Sequence, residues 1–241
     1  MVPSSSVEAA APPRTAPVAP PRVPHYLDQA YWWAYVHPKA VHFFEREWLV
    51  NLILFGNYKR LCDAALDELG ETVDGHTLQV ACVYGDLTPR LRQRLAPDAR
   101  LDVVDVLPIQ LRNLAAKLPP DERVALLQGD SSALACPAGS YDQVLLFFLL
   151  HEQPEHVRRA TLAEALRVVK PGGKVVIIDY HRPSAAHPLR PLMRQVFKHL
   201  EPFAMDLWEH DVQEFLPTGA PAPVSKSTWF GGLYQKLVLV K

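Results

Sequence analysis

The chain has little cysteine and no paired-cysteine pattern. Three cysteines, Cys62, Cys82 and Cys136, occur among 241 residues. They are far apart, odd in number and set among apolar residues, so they read as reduced, mostly buried thiols of a reducing compartment. No CxxC or Cys/His spacing suggests a structural zinc site. An excess of one charge is also missing. The net charge is -1, which excludes the basic surplus that phosphate-rich nucleic acid selects. The longest strongly apolar runs, Trp48 to Gly56 and Val144 to Leu150, fall well short of the roughly 20 residues that span a bilayer. No apolar h-region opens the chain, which argues against a secretory signal. There is no internal repeat. What is present is an ordinary globular composition, 49% hydrophobic and 21% charged, sufficient for one well-buried domain.

Residues 1 to about 24 are rich in Pro, Ala and Ser and bury too little apolar surface to offset their ordering entropy, so a disordered tail is expected. Arg14 and Arg22 with few acids leave a targeting role open, although the prolines argue against an amphipathic targeting helix. Residues 25–70 form an aromatic block. Ten of the chain's 22 aromatic residues lie between Tyr26 and Tyr58. Val41, Phe44, Trp48, Leu52 and Phe55 recur at helical spacing, while Phe43, Val50 and Leu54 make the opposite side apolar as well. Such a helix needs more than one partner. It is expected to cap the domain, to cover an apolar substrate, or to rest on a membrane, where Trp and Tyr favour the interface.

Residues 71–241 alternate strand and helix. Strands are expected at 77–82, 101–105, 124–128, 141–146 and 174–179, with helices at 88–95, 108–118 and 154–169 between them. Lys170-Pro171-Gly172-Gly173 stops the last of these helices. A helical stretch follows near 189–200, and 226–230 and 233–240 flank Gly231-Gly232 as a closing hairpin. This is an α/β pattern: a mostly parallel sheet with helices on both faces and an antiparallel end.

In such sheets ligands bind where the strands end, near the point at which strand order reverses. Polar or irregular clusters sit at five strand ends. They are the Ala81 to Gly85 loop with Val83 and Tyr84, then Asp105 with Val106, Asp130 with Ser131, His151 with Glu152, and Asp179 with His181. An acid at the position of Asp105, about 20 residues after the first loop, suits a ribose hydroxyl pair. His151 suits a general base or a metal ligand. The neighbouring carboxylate of Glu152 suits a hard cation.

The Ala81-Cys82-x-x-Gly85-Asp86-Leu87-Thr88 segment, the acid at Asp105 and the Lys170-Pro171-Gly172-Gly173 turn resemble the class I S-adenosylmethionine (SAM) dependent methyltransferases of quinone biosynthesis. Such enzymes usually carry an acid where Gln79 stands and Gly-x-Gly where Val83-Tyr84-Gly85 stands. With those departures, Tyr31-Trp32-Trp33-Ala34-Tyr35, Phe43-Phe44-Glu45-Arg46-Glu47-Trp48 and Leu150-His151-Glu152-Gln153-Pro154 resemble the rhodoquinone-biosynthesis methyltransferase-like proteins.

The resemblance implies a Rossmann-like class I methyltransferase fold under an N-terminal aromatic cap. It implies conversion of ubiquinone to rhodoquinone, a ring methoxy group being replaced by an amino group. SAM would be the amino donor, supported by a divalent metal such as manganese. It implies cofactor contacts from Gln79, Ala81, Val83, Tyr84, Gly85, Asp105, Val106, Asp130 and Ser131. Catalytic roles fall to Gln79, Tyr84 and His151, and metal contacts to His151, Glu152 and Asp179. The ubiquinone tail implies peripheral contact with an inner membrane from the cytoplasmic side, or the matrix side of a mitochondrion. A neutral Gln79 would leave the SAM amine less biased toward its ammonium form. Two other readings stay open, a conventional quinone or phenol methyltransferase and a non-catalytic SAM- or quinone-binding accessory protein.

Overall fold

A computed structural model of the chain describes residues 23–31 and 43–241. The expected tail and the residues Trp32, Trp33, Tyr35 and Val41 lie outside the described residues. The elements, in chain order, are α1 (His25–Ala30), α2 (Glu47–Ile53), α3 (Tyr58–Leu69), β1 (His76–Val80), α4 (Leu87–Arg94), β2 (Arg100–Asp105), α5 (Pro108–Lys117), β3 (Val124–Gln128), β4 (Tyr141–Phe147), α6 (Glu155–Val168), β5 (Val169–Tyr180), α7 (Arg190–His199), α8 (Asp206–Glu209), β6 (Ser225–Trp229) and β7 (Tyr234–Val240).

The strands form one seven-stranded sheet in the order β3-β2-β1-β4-β5-β7-β6. The first five are parallel, and β7 lies antiparallel to both β5 and β6. Chain order reverses between β1 and β4, the switch point where crossovers leave toward opposite edges and open a crevice. The central strands read as continuous apolar runs, such as Val144 to Phe147 and Val175 to Ile178, because helices cover both faces of a parallel sheet. Register pairs Val80 with Val104 and with Leu146, and Leu146 with Ile177. The residues one or two positions later, Ala81, Asp105, Phe148 and Asp179, therefore end side by side.

Two local expectations change. The Lys170-Pro171-Gly172-Gly173 segment ends α6 but does not form a separate turn; β5 runs through it from Val169. Gly172 N donates to Lys241 O at 2.7 Å and Lys241 N to Gly173 O at 3.0 Å, which ties the segment to the last strand. A Cβ on Gly173 would sit 2.6 Å from the Asp142 carbonyl oxygen, so this crossing tolerates no side chain.

The second change is in the aromatic block. The long amphipathic helix breaks into short pieces, with Phe55 and Gly56 both at positive φ between α2 and α3. Of the stripe at helical spacing, Trp48 and Leu52 are exposed while Phe55 packs on the core, and Val50 and Leu54 of the other side turn toward the core as well. A helix apolar on both sides leaves the choice of inner face to whatever it packs on. Next along the chain, α3 packs against β4 and β5. Its residues Leu61, Cys62, Ala65 and Leu66 are buried in the same core as the sheet.

Candidate active site

One cavity of about 500 Å³ runs across the ends of β1 to β5. Its walls include Ala81, Val83, Tyr84, Asp105, Val106, Asp130, Ser131, His151 and Glu152, all anticipated from the sequence. Gln79, Gly85 and Asp179 are not on its wall.

The loop after β1 is held from behind. Ala81 has φ +72°, in the left-handed region where an alanine costs roughly 1–2 kcal/mol and glycine little. Tyr58, buried at the start of α3, accepts from Asp86 N at 2.7 Å and Leu87 N at 3.1 Å, and donates to Tyr84 O at 3.2 Å. One phenol thus serves the start of α4, where backbone N–H groups lack helical partners. Gly85 lies directly under it; a Cβ there would collide with that phenol oxygen. Glu45 accepts from Gly85 N at 3.1 Å and from Asn113 and Lys117, while Lys117 Nζ donates to Gly85 O at 2.9 Å.

Gln79 lies beneath this loop. Its Nε2 donates to Ala81 O at 3.0 Å, and its Oε1 accepts from Thr88 Oγ1 at 3.0 Å. It is fully buried and shapes the turn, so direct catalytic and cofactor contacts do not follow from its position. Tyr84 does face the cavity. Its ring stacks on Phe44 at 6.2 Å between centroids, and its hydroxyl accepts from Gln110 Nε2 at 2.8 Å. Burial pushes its phenol well above the ordinary range, so it stays protonated and does not serve as a base.

At the end of β2, Asp105 Oδ2 accepts from Cys82 N at 2.7 Å and Oδ1 from Leu107 N at 2.8 Å. The Cys82 thiol also hydrogen-bonds this carboxylate, which keeps accepting capacity for the cavity. Burial raises this carboxyl to about 6, against the lowering effect of the two N–H bonds. Asp130 Oδ1 accepts from Ser132 N and Oγ, and Ser131 Oγ meets Thr161 Oγ1 and Gln153 Nε2 at 3.0 Å each.

The other end of the cavity is built around His151. It is buried, with Nδ1 2.9 Å from Asp179 Oδ1 and Nε2 3.5 Å from Glu201 Oε2 and 3.8 Å from Glu152 Oε1. Burial alone would lower its pKa. Asp179, Glu201 and Glu152 outweigh that and hold it at about 9. With that value His151 is charged near neutral pH, the form that donates a proton. Burial raises the Glu201 carboxyl above its ordinary value, opposed by His151. Phe148, at φ +51°, carries the chain from β4 into this turn. Arg158, fully buried, donates to Leu150 O at 2.9 Å and Gln153 O at 2.8 Å, which fixes the turn that bears His151 and Glu152.

The expected metal set of His151, Glu152 and Asp179 does not fit. Asp179 is fully buried, and its carboxylate accepts from Leu150 N at 2.8 Å, His151 N at 3.3 Å and Tyr180 N at 2.7 Å besides facing His151 Nδ1. Those bonds occupy the lone pairs that a cation would need. Among the described residues no group of three His, Cys, Asp or Glu is arranged to hold a metal ion. His181 lies apart, its Nδ1 against Gly232 O at 2.8 Å. The sequence reading missed Tyr58, Glu45, Arg158 and Glu201. The partners of Tyr58 and Glu45 lie 26 to 72 residues away, and no local motif announces such pairs.

Residues 77–173 match the methyltransferase domain family model. The chain is 28% identical over 156 residues to the demethylmenaquinone methyltransferase of Lactococcus lactis, covering 62% of this chain and 59% of that one. It is 28% identical over 160 residues to the same enzyme of Staphylococcus aureus, covering 66% and 64%. The chain thus spans about three fifths of the length of these curated relatives. Among solved structures it resembles a SAM-dependent methyltransferase of Aquifex aeolicus, with TM-score 0.56 and 17% identity over 84% of this chain and 97% of that one. It also resembles the N-methyltransferase NodS of Bradyrhizobium japonicum in complex with S-adenosyl-L-homocysteine, with TM-score 0.51 and 14% identity over 75% and 83%. The fold is the class I methyltransferase fold, as the sequence led us to expect.

Proposed function

We propose that the protein is a SAM-dependent transferase acting on the ring of a quinone or quinol, with conventional methyl transfer as its primary reaction. One observation carries this reading. A single cavity joins an acid-bearing half at the ends of β1 to β3 to an apolar half that ends in a buried imidazolium. Relatives similar to this chain include demethylmenaquinone methyltransferases, which supports a quinone-like acceptor.

The first half suits SAM. Asp105 keeps accepting capacity that would serve the ribose hydroxyls, and Asp130 and Ser131, on the same cavity wall, would border the adenine. When bound there, SAM supplies an electrophilic methyl group on its sulfonium. The residues of this chain then have two tasks, in-line positioning and proton removal. His151 donates to a ring oxygen and stabilises the negative charge that develops on it. Glu201 and Glu152, the carboxylates beside His151 Nε2, would take the hydroxyl proton.

A second reading is favoured by the rebuilt loop. Tyr84 brings a bulky ring into the cavity where methyltransferases carry a small residue, and neutral Gln79 replaces an acid beneath it. Both changes suit SAM as an amino donor that replaces a ring methoxy group of ubiquinone, as the rhodoquinone-enzyme resemblance implies. The experiment is mass spectrometry of a short-tail quinone, and of its quinol, after incubation with SAM labelled at the methyl carbon and at the α-nitrogen. A product heavier by a labelled methyl group supports the primary reading. A lighter product carrying labelled nitrogen supports the second. SAM binding with no product from either acceptor would refute both and leave an accessory protein.

A further inference from the structure

The cavity has an unusual rim. Helix α2 has no buried side chain, and its Trp48 is 58% exposed and its Leu52 62% exposed. Across the opening, α7 leaves Leu192 51% exposed. Leu192, Val196 and Leu200 follow one another at i+4 spacing, a ridge along the helix, while Met193 and Phe197 turn inward. Leu52, Ile53 and Leu200 are each both exposed and part of the cavity wall. They therefore mark its mouth, and the apolar surface outside is continuous with the apolar surface within.

The charge around this rim is one-sided although the whole chain is almost neutral. Helix α7 carries Arg190, Arg194 and Lys198 and no acid, and Arg194 and Lys198 are exposed. Lys59 and Arg60 are exposed just beyond α2, and Arg46 precedes it; Glu47 is the exposed acid of α2. An apolar ridge flanked by cations is what an amphipathic element presents to a bilayer whose surface is negative. Long basic side chains keep their charge at the headgroups while their stems lie along the apolar zone.

We propose that α2 and α7 dock this protein on an anionic lipid bilayer. Leu52, Ile53, Leu192 and Leu200 enter the acyl boundary, and Arg194 and Lys198 meet lipid phosphates. The cavity mouth then opens directly onto the membrane, so an apolar-tailed substrate moves from lipid to the His151 end without crossing water. This rests on the reading that the cavity takes such a substrate, but docking itself needs neither quinone nor SAM.

The test is flotation of the full chain with quinone-free vesicles, either phosphatidylcholine alone or phosphatidylcholine mixed with phosphatidylglycerol. Wild type should float with the anionic vesicles and lose binding as salt rises. Arg194→Gln with Lys198→Gln should weaken binding about thirtyfold at low salt. Leu192→Asp should abolish it, while SAM binding and melting temperature remain those of wild type. Leu192 is exposed and off the cavity wall, so its loss leaves the fold intact. The proposal is overturned if wild type ignores anionic vesicles, if Leu192→Asp floats equally well, or if these substitutions instead dissolve a dimer seen without lipid. Flotation without quinone turnover would leave docking standing and sink the substrate reading.

Discussion

The two ends of the cavity hold titratable groups shifted upward for opposite reasons. Asp105 is raised by burial, against the lowering effect of two backbone N–H groups and the Cys82 thiol. His151 is raised despite burial, because three carboxylates surround it. The first end is a carboxylate acceptor set among strand ends. The second is a preformed charge cluster assembled from β5, the turn after β4 and Glu201, two residues beyond α7. The lesson is that one sheet edge provides both a binding end and a reactive end by changing only what accompanies the buried charge.

This contrast is broken most severely at His151. We expect His151→Gln to lower turnover by about 10²–10⁴-fold, the usual worth of a positioned proton donor, with SAM affinity almost unchanged. Calorimetric SAM titration beside steady-state kinetics checks this, and a parallel loss of affinity would merge the two ends. Asp105→Ala should do the reverse, weakening SAM by about 100-fold through two lost charge-assisted hydrogen bonds. The same calorimetry reads it, and unchanged affinity would remove Asp105 from the binding end.

Tyr58→Phe removes the phenol that serves two N–H groups and should cost about 2 kcal/mol of stability, measured by urea unfolding. A loss near zero would mean water replaces it.

Two smaller effects sharpen the comparison by pH. Because the folded pKa of His151 lies above its ordinary value, its contribution to stability is full below the ordinary imidazole range and is lost as pH rises through about 9. Thermal melts from neutral to alkaline pH should therefore fall more steeply for wild type than for His151→Gln. At the other end, protonation of Asp105 leaves fewer lone pairs for hydroxyl donors. SAM affinity should decline as pH drops through about 6, and Asp105→Asn should flatten that decline.

Much of the binding end could be read along the chain. Asp105, Asp130 and the Ala81 to Gly85 loop each follow a short apolar run whose length and β-branched content read as a strand. Glu201 could not be read that way. It follows an amphipathic helix, 50 residues from His151, and its nearness depends on how α7 crosses the strand ends. Asp179 misled for the same reason. At a strand end it looked available to a metal, but its lone pairs are taken by three backbone N–H groups that sequence does not locate. Trp48 and Leu52 had the right helical spacing, and yet the inner face fell to Val50 and Leu54.

What the sequence alone determined is periodic: which segments are strands, which are helices, and which residues end each strand. Those properties follow from side-chain alternation and from the backbone demands of single positions. Tertiary structure decided which helix face is wet, which carboxylate keeps free lone pairs and which charges surround His151. Those depend on distances between residues far apart in the chain, set by how the helices pack on the sheet and not by any local pattern.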